Sequence, residues 1–256
     1  GIKNDIKKDL QYSISNTEII PDDDDLYIND DFPQKKWGEK EKRSIYAKIE
    51  VTNESTFAAV KRVKVLNKKV CALNFASSTK PGGGVLNGRN AQEESLSRQS
   101  TLYFSLVEQK SFYYYNNKNY DPYGTDYMIY SPNVIIIRDD QDKLTLPVKV
   151  SVISSVAVNC SELKNIDAKK VNKIMKKRCR RILQLCLSKG NDVIVLGAFG
   201  CGVFQNSPKD ISHIFRKLIV DEFYGMKFKK IIFAIKTKSG QSNEMIDAFK
   251  QEFSKH

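Results

Sequence analysis

The stretch Asn74-Phe75-Ala76-Ser77-Ser78-Thr79-Lys80-Pro81-Gly82-Gly83-Gly84, followed after seven residues by Gln92-Glu93-Glu94-Ser95, decides how the rest of the chain is read. Lys69 to Ala76 is an apolar run that predicts a buried strand, and it leads through a glycine loop into a helix opening on two adjacent acids. Such a segment brings bare backbone N–H groups and carboxylates to one small site, because glycine permits close approach and a helix start presents unpaired donors. The triple glycine fits neither the G-x-x-x-x-G-K-[ST] spacing of a P-loop nor the G-x-G-x-x-G of a dinucleotide turn. On its own it is equally a tight turn.

Outward from this stretch, strand and helix patterns alternate from Val65 to the end. Ala91 to about Glu108 reads as one helix, with Leu96, Ser100, Tyr103 and Val107 at helical spacing, and Val134 to Ile137 and Lys149 to Val158 read as strands. The aromatic segment between, Ser111 to Tyr127, reads as loop-like, its Tyr113-Tyr114-Tyr115 a packed surface hairpin or a stacking platform. Asp167 to Ser188 is a long amphipathic helix closed by Gly190, and its run Lys176-Lys177-Arg178-Cys179-Arg180-Arg181 is a solvated face or a polymer-binding patch. Asp192 to Leu196 is the continuous apolar strand that a parallel sheet buries on both faces. A helix over Pro208–Glu222, a strand over Lys230–Lys236 and a helix over Ser242–Phe253 follow. On the other side, Lys48–Val51 reads as a strand, and Thr52-Asn53-Glu54-Ser55 supplies N-cap chemistry for a helix through Phe57, Val60 and Val63. Residues 1–44 are polar and read as an N-terminal arm with a short helix near Glu39–Ala47, and residues 45–256 as one domain. The predicted fold class is α/β: a three-layer α/β/α sandwich with a mixed, mostly parallel sheet.

Composition narrows the function classes. The chain has 256 residues, 42 Lys and Arg against 30 Asp and Glu, and a net charge of +12, which suits an anionic partner without choosing one. Neither a membrane span nor a signal peptide is legible, and Cys71, Cys160, Cys179, Cys186 and Cys201 form no C-x-x-C pair, so reduced thiols and an intracellular location, cytoplasmic or nuclear, are expected. With only His213 and His256 present, no metal site is expected, and His213 reads as a helix-surface or core histidine.

A second glycine loop, Gly197-Ala198-Phe199-Gly200-Cys201-Gly202-Val203-Phe204, also follows a strand and precedes a helix. Its amides can wrap a diphosphate, with the next helix's dipole adding partial positive charge. Phe204 is either a core anchor or a surface for a sugar or base. Between the loops, Glu93-Glu94 is either a helix-dipole device or a catalytic pair. A carboxyl beside a bound sugar can protonate a glycosidic oxygen, and two adjacent acids repel, which favours one of them keeping its proton.

At these residues the chain resembles the microbial-type branch of the poly(ADP-ribose) glycohydrolase family, within the macrodomain superfamily. The family signature is a triple glycine followed by Gln-Glu-Glu, matched by Gly82-Gly83-Gly84 and Gln92-Glu93-Glu94. Asn74-Phe75-Ala76-Ser77, Met128-Ile129-Tyr130-Ser131-Pro132, Arg138-Asp139-Asp140 and Gly197 to Phe204 support it. The resemblance implies a macrodomain over residues 45–256 that hydrolyses ribose–ribose bonds of poly(ADP-ribose). It makes Glu94 the general acid and base and Glu93 the residue that holds ribose hydroxyls. Asn74, Gly82, Gly83, Gly84 and Gln92 would form the ribose side of the site, Gly200, Cys201, Gly202 and Val203 the diphosphate loop, and Phe204 would pack on the terminal ribose. Partners would be poly(ADP-ribose) and ADP-ribosylated proteins, with ADP-ribose as product, no cofactor, and a monomeric chain. One departure stands out: the family segment reads like Ser-Pro-Ala-Pro-Asn where this chain has Ser155-Val156-Ala157-Val158-Asn159, so that adenine-side loop is expected to be less rigid. A non-catalytic ADP-ribose reader and a basic nucleic-acid-binding module are the alternative functions.

Overall fold

The computed structural model describes residues 2–23, 26, 47–64, 69–237 and 243–254. Among them, strands β1 (Glu18–Ile20), β2 (Lys48–Thr52), β3 (Val70–Phe75), β4 (Met128–Arg138), β5 (Leu144–Ser155), β6 (Val193–Leu196) and β7 (Lys230–Ala234) form one sheet in the order β1-β4-β5-β3-β6-β7-β2. The pairs β1/β4 and β4/β5 are antiparallel and the other four parallel, so the sheet is mixed and mostly parallel.

Period-two alternation along the central strands creates the two core layers. Cys71, Leu73, Ile194, Leu196, Ile231 and Phe233 point to one face, where Met175, Cys179 and Ile182 of the Ala168–Ser188 helix and Phe215, Phe249 and Phe253 of the last two helices cover them. Val70, Ala72, Val193, Val195 and Ile232 point to the other face, under Phe57, Val60 and Val63 of the Thr56–Lys64 helix and Leu96, Leu102 and Leu106 further along. Burying strands on both faces is what makes their sequences continuous apolar runs. This is the expected three-layer α/β/α sandwich.

Several local expectations change. The helix over 91–108 is two helices, Gln92–Gln99 and Leu102–Val107. They part because the Ser100 hydroxyl donates to Leu96 O (2.7 Å) and accepts from Leu102 N (3.1 Å), while Thr101 exchanges bonds with Ile135 of β4. The segment read as loop contains a helix, Lys110–Lys118, with Tyr113 buried while Tyr114 and Tyr115 are exposed. β4 is far longer than the expected Val134–Ile137, β5 begins and ends earlier than the expected Lys149–Val158, and the two form an antiparallel ribbon. Residues 2–20 are built into the sandwich: the Ile2–Ser15 helix lies against β4, and β1 adds a strand to its edge. The helix expected near Glu39–Ala47 lies outside the described residues, apart from Ala47.

The basic run on the Ala168–Ser188 helix is largely spent inside the molecule. Lys176 and Arg180 pair with Glu222, Lys177 and Arg178 pair with Asp126, and Arg181 donates to the Pro21 carbonyl. His213 sits on the Pro208–Arg216 helix surface, paired with Glu252.

The chain leaving β3 enters helices on one face of the sheet, whereas the chains leaving β5 and β6, its two neighbours, enter helices on the other. Such a divergence opens a crevice outside the carboxyl ends of the strands, where open α/β sheets hold ligands.

Candidate active site

Three strand ends meet in that crevice. β3 runs out at Asn74 and Phe75, opposite Ser154 and Ser155 of β5, and β6 ends beside it at Leu196. The loop after β3 and the loop after β6 are therefore neighbours.

The Gln92–Gln99 helix is pinned to β3 by its first side chain. Gln92 accepts from Phe75 N (2.9 Å) and donates to Leu73 O (2.8 Å) and Thr56 Oγ1 (3.1 Å), so its amide is committed to protein partners. This anchorage fixes the two acids that follow. Glu93, 3% exposed, accepts from Ser77 N (2.7 Å) and from Asn74 Nδ2 (3.2 Å). Glu94, 6% exposed, accepts from Gly84 N (2.9 Å) through one oxygen and from Ala91 N (3.1 Å), at the helix N-cap, through the other. Burial pushes the Glu93 carboxyl up to about 8, against the pull of the Ser77 and Asn74 donors and with the adjacent Glu94 adding to the rise. The expectation that one acid of the pair keeps its proton thus falls on Glu93.

Glycine at position 83 is required by contact as well as conformation. Its φ is +62°, and a Cβ there would lie 2.5 Å from Glu94 Oε1 and 3.1 Å from Glu93 Oε2. Gly82, at φ +68°, likewise leaves no room, because a Cβ would meet the Tyr103 ring at 2.8 Å. Asn74 adds a bond to Ser154 Oγ (3.0 Å), yet its buried Oδ1 has no partner among the described residues. A buried acceptor without a donor is costly unless something supplies one.

The loop after β6 is held differently. Gly200 turns at φ +76°, and Asn206 Nδ2 clasps Gly200 O (3.0 Å) and Val158 O (2.7 Å). Beyond that clasp the N–H groups of Gly202, Val203 and Phe204 donate to no acceptor among the described residues. Val203 is exposed, Phe204 is half-buried against the core, and Cys201 is buried, its thiol pushed up by burial. The loop therefore presents backbone and not a thiolate.

The structure thus brings Asn74, Gly82, Gly83, Gly84, Gln92, Glu93 and Glu94 together at the end of β3 and sets Gly200 to Phe204 beside them. Sequence reading misses Ser77, whose N–H holds Glu93, and places Tyr113 in a surface hairpin or stacking platform, whereas its hydroxyl is buried and pushed well above the usual phenol range by burial and by the Glu93 charge. Neither sits at a spacing that signals a site. The segment Val156–Asn159, expected to be loose without its prolines, is tied by side chains: Val158 N bonds Met175 Sδ (3.4 Å), and Val156 O accepts from Arg178 (3.0 Å). Among the described residues no three His, Cys, Asp or Glu side chains converge as a metal would require.

An α/β/α sandwich with paired carboxyls and a donor-lined glycine loop at neighbouring strand ends defines a macrodomain-like protein built for glycosidic chemistry. A comparison with protein families matches residues 1–139 to the microbial-type PARG catalytic domain. A poly(ADP-ribose) glycohydrolase structure from Thermomonospora curvata superposes with a TM-score of 0.85 at 29% identity, covering 96% of this chain and 89% of that one. The same enzyme bound to the inhibitor ADP-HPD gives 0.83 at 30% identity, with 96% and 88% covered. The Deinococcus radiodurans enzyme in complex with ADP-ribose gives 0.81 at 30% identity, with 96% and 97% covered. Curated protein sequences returned no match. The chain belongs to the microbial-type PARG catalytic-domain family.

Proposed function

We propose that Glu94 carries the chemistry of this chain, a poly(ADP-ribose) glycohydrolase that hydrolyses ribose–ribose O-glycosidic bonds and releases ADP-ribose. Its support is one observation: both oxygens of a nearly buried carboxyl are fixed by backbone donors, Gly84 N and Ala91 N, beneath a glycine that admits no side chain. A carboxyl held this way transfers protons along a set direction, and general acid–base catalysis follows geometry first. The reacting form is the one in which Glu94 has taken up a proton from solvent: in the first half of the reaction that proton passes to the bridging oxygen, the bond from that oxygen to the anomeric carbon breaks, and an oxocarbenium-like centre forms. In the second, water adds its oxygen to that carbon and returns a proton to Glu94.

The remaining roles follow from what each residue has left to offer. Glu93, keeping its proton to about pH 8 because it is buried, has an O–H to donate to a ribose hydroxyl, and the unpartnered Asn74 Oδ1 can accept from another. The N–H groups of Gly202, Val203 and Phe204 suit the diphosphate, and Phe204 the terminal ribose. Gln92 acts by holding the Gln92–Gln99 helix. Poly(ADP-ribose) on modified proteins is the substrate in this reading, and free, buried cysteines suit a reducing cytoplasm or nucleus.

The test is to incubate the protein with a carrier bearing poly(ADP-ribose) chains and resolve the products by size. The wild type should release ADP-ribose. Glu94→Gln should lose about a thousandfold in turnover while binding ADP-ribose within about threefold of the wild type. Retained turnover overturns the role of Glu94, and an unchanged ladder with the wild type supports a non-catalytic reader.

A further inference from the structure

The segment Val156–Cys160 forms a wall along the second glycine loop. Asn206 ties Val158 O to Gly200 O, Cys160 N donates to Phe204 O (2.9 Å), and a Cβ on Gly200 would come within 2.6 Å of Ala157 Cβ. Any shift of the wall therefore moves the loop. Behind the wall runs a second segment, Tyr120–Asp126, joined to it where Asn159 N donates to Pro122 O (2.7 Å). Glu162 adds a further tie, accepting from the Tyr120 hydroxyl (2.6 Å) and from Asn159 Nδ2 (2.7 Å).

Both segments converge on one side chain. Arg178 is 2% exposed, and its guanidinium donates from Nε to Asp126 Oδ1 (2.8 Å), from one terminal nitrogen to Val156 O (3.0 Å) and from the other to Tyr123 O (2.6 Å). Neighbours on the same helix reinforce the grip: Lys177 pairs with Asp126 (2.6 Å), and the Lys170 ammonium stands over the Tyr123 ring at 3.7 Å. A buried guanidinium carries a desolvation cost that an apolar side chain of similar size avoids, so stability alone is a weak reason for its presence. A planar fork of fixed donors, however, sets three acceptors at defined positions, which neither lysine nor leucine can do.

We propose that Arg178 is a positioning residue for the diphosphate side of the site. It locks the Tyr123–Asp126 turn and the Val156–Cys160 wall into one frame, and the frame sets the Gly200–Phe204 loop. This rests on the reading of that loop as the ADP-ribose cradle. Arg178 touches no reacting group and acts through the wall, so its removal should weaken ligand binding without disturbing the Glu94 side.

The test uses the full chain with Arg178→Lys and Asp126→Asn, measuring ADP-ribose affinity by calorimetry, KM and kcat on poly(ADP-ribose), and the thermal midpoint. Arg178→Lys keeps the charge and loses the fork; Kd and KM should rise about tenfold with kcat within about threefold. Asp126→Asn leaves the two carbonyl bonds of Arg178 in place, so it keeps the experiment readable if Arg178→Lys does not fold, and Kd should rise about threefold. Lys177→Ala, which removes only the more exposed partner of Asp126, should stay within about twofold. Affinity unchanged in the folded variants, even with a lower midpoint, overturns the proposal by leaving Arg178 a stabilising role alone. A fall in kcat with KM unchanged overturns it as well. Failure of the wild type to bind ADP-ribose would instead sink the functional reading beneath it.

Discussion

The two glycine loops lie side by side at the ends of β3 and β6, yet their backbone donors have opposite fates. Around the first loop, the N–H groups of Ser77 and Gly84 are committed to the protein's own carboxylates, Glu93 and Glu94. In the second, the N–H groups of Gly202, Val203 and Phe204 meet no acceptor among the described residues. The first loop is a holder for acids; the second leaves its donors open, as the proposed diphosphate cradle requires. Glycine content alone cannot tell these apart, because what decides is whether the protein supplies the negative charge itself.

The contrast is most exposed to test at Gly83. A methyl group there would intrude on Glu94 Oε1 at 2.5 Å and would sit on a backbone at φ +62°, so Gly83→Ala should displace the acid. Misplacement of a catalytic group by about an ångström costs about a hundredfold in rate, and turnover on polymer should fall by that order while ADP-ribose binding falls far less. A variant keeping more than about a tenth of wild-type turnover would show that this loop does not hold Glu94.

The next effect is on stability and concerns Glu93. Its folded-state value of about 8 lies above the ordinary carboxylate range, so between that range and pH 8 the folded chain keeps a proton that the unfolded chain has lost. Stability then falls as pH rises through this window and levels off above it. Thermal melts from pH 5 to 9 should show the wild type losing a few kcal/mol relative to Glu93→Gln as pH increases. A constant difference would mean that Glu93 is ionised in the folded protein and that its donors outweigh its burial.

The smallest effect is expected at Val203, which is 71% exposed. Val203→Ala removes a side chain and leaves the N–H in place, so ADP-ribose affinity should stay within about twofold. A tenfold loss by calorimetry would mean that the side chain, not the backbone, makes the contact.

The parallel strands and the Ala168–Ser188 helix were legible because burial writes itself into residue type at period two or 3.6. The break at Ser100-Thr101 was not, since leucine, tyrosine and valine continue at helical spacing across it; what ends the first helix is a bridge to Ile136 on a strand not yet made. That the triple glycine and Gln92-Glu93-Glu94 belong together was legible as a motif, and the fold does join them, with Gly84 N bonded to Glu94. Arg178 was hidden in plain composition. Among Lys176, Lys177, Arg180 and Arg181 it reads as one more surface cation, and only the folded helix shows that it faces inward. Ser77 is invisible for another reason, since it contributes an amide that every residue except proline carries.

The short strand β1 covers Met128–Tyr130, and beyond it β4 is sheltered by the Ile2–Ser15 helix and by the Ser100-Thr101 crossing. An eleven-residue, largely apolar strand at the margin of a sheet is otherwise a template on which another chain can lay its own backbone. The opposite margin, β2, is guarded by charge, with Glu50 gathering Lys48, Arg62 and Lys230. The N-terminal residues thus occupy backbone donors and acceptors of β4 that would otherwise be free to pair with a second chain.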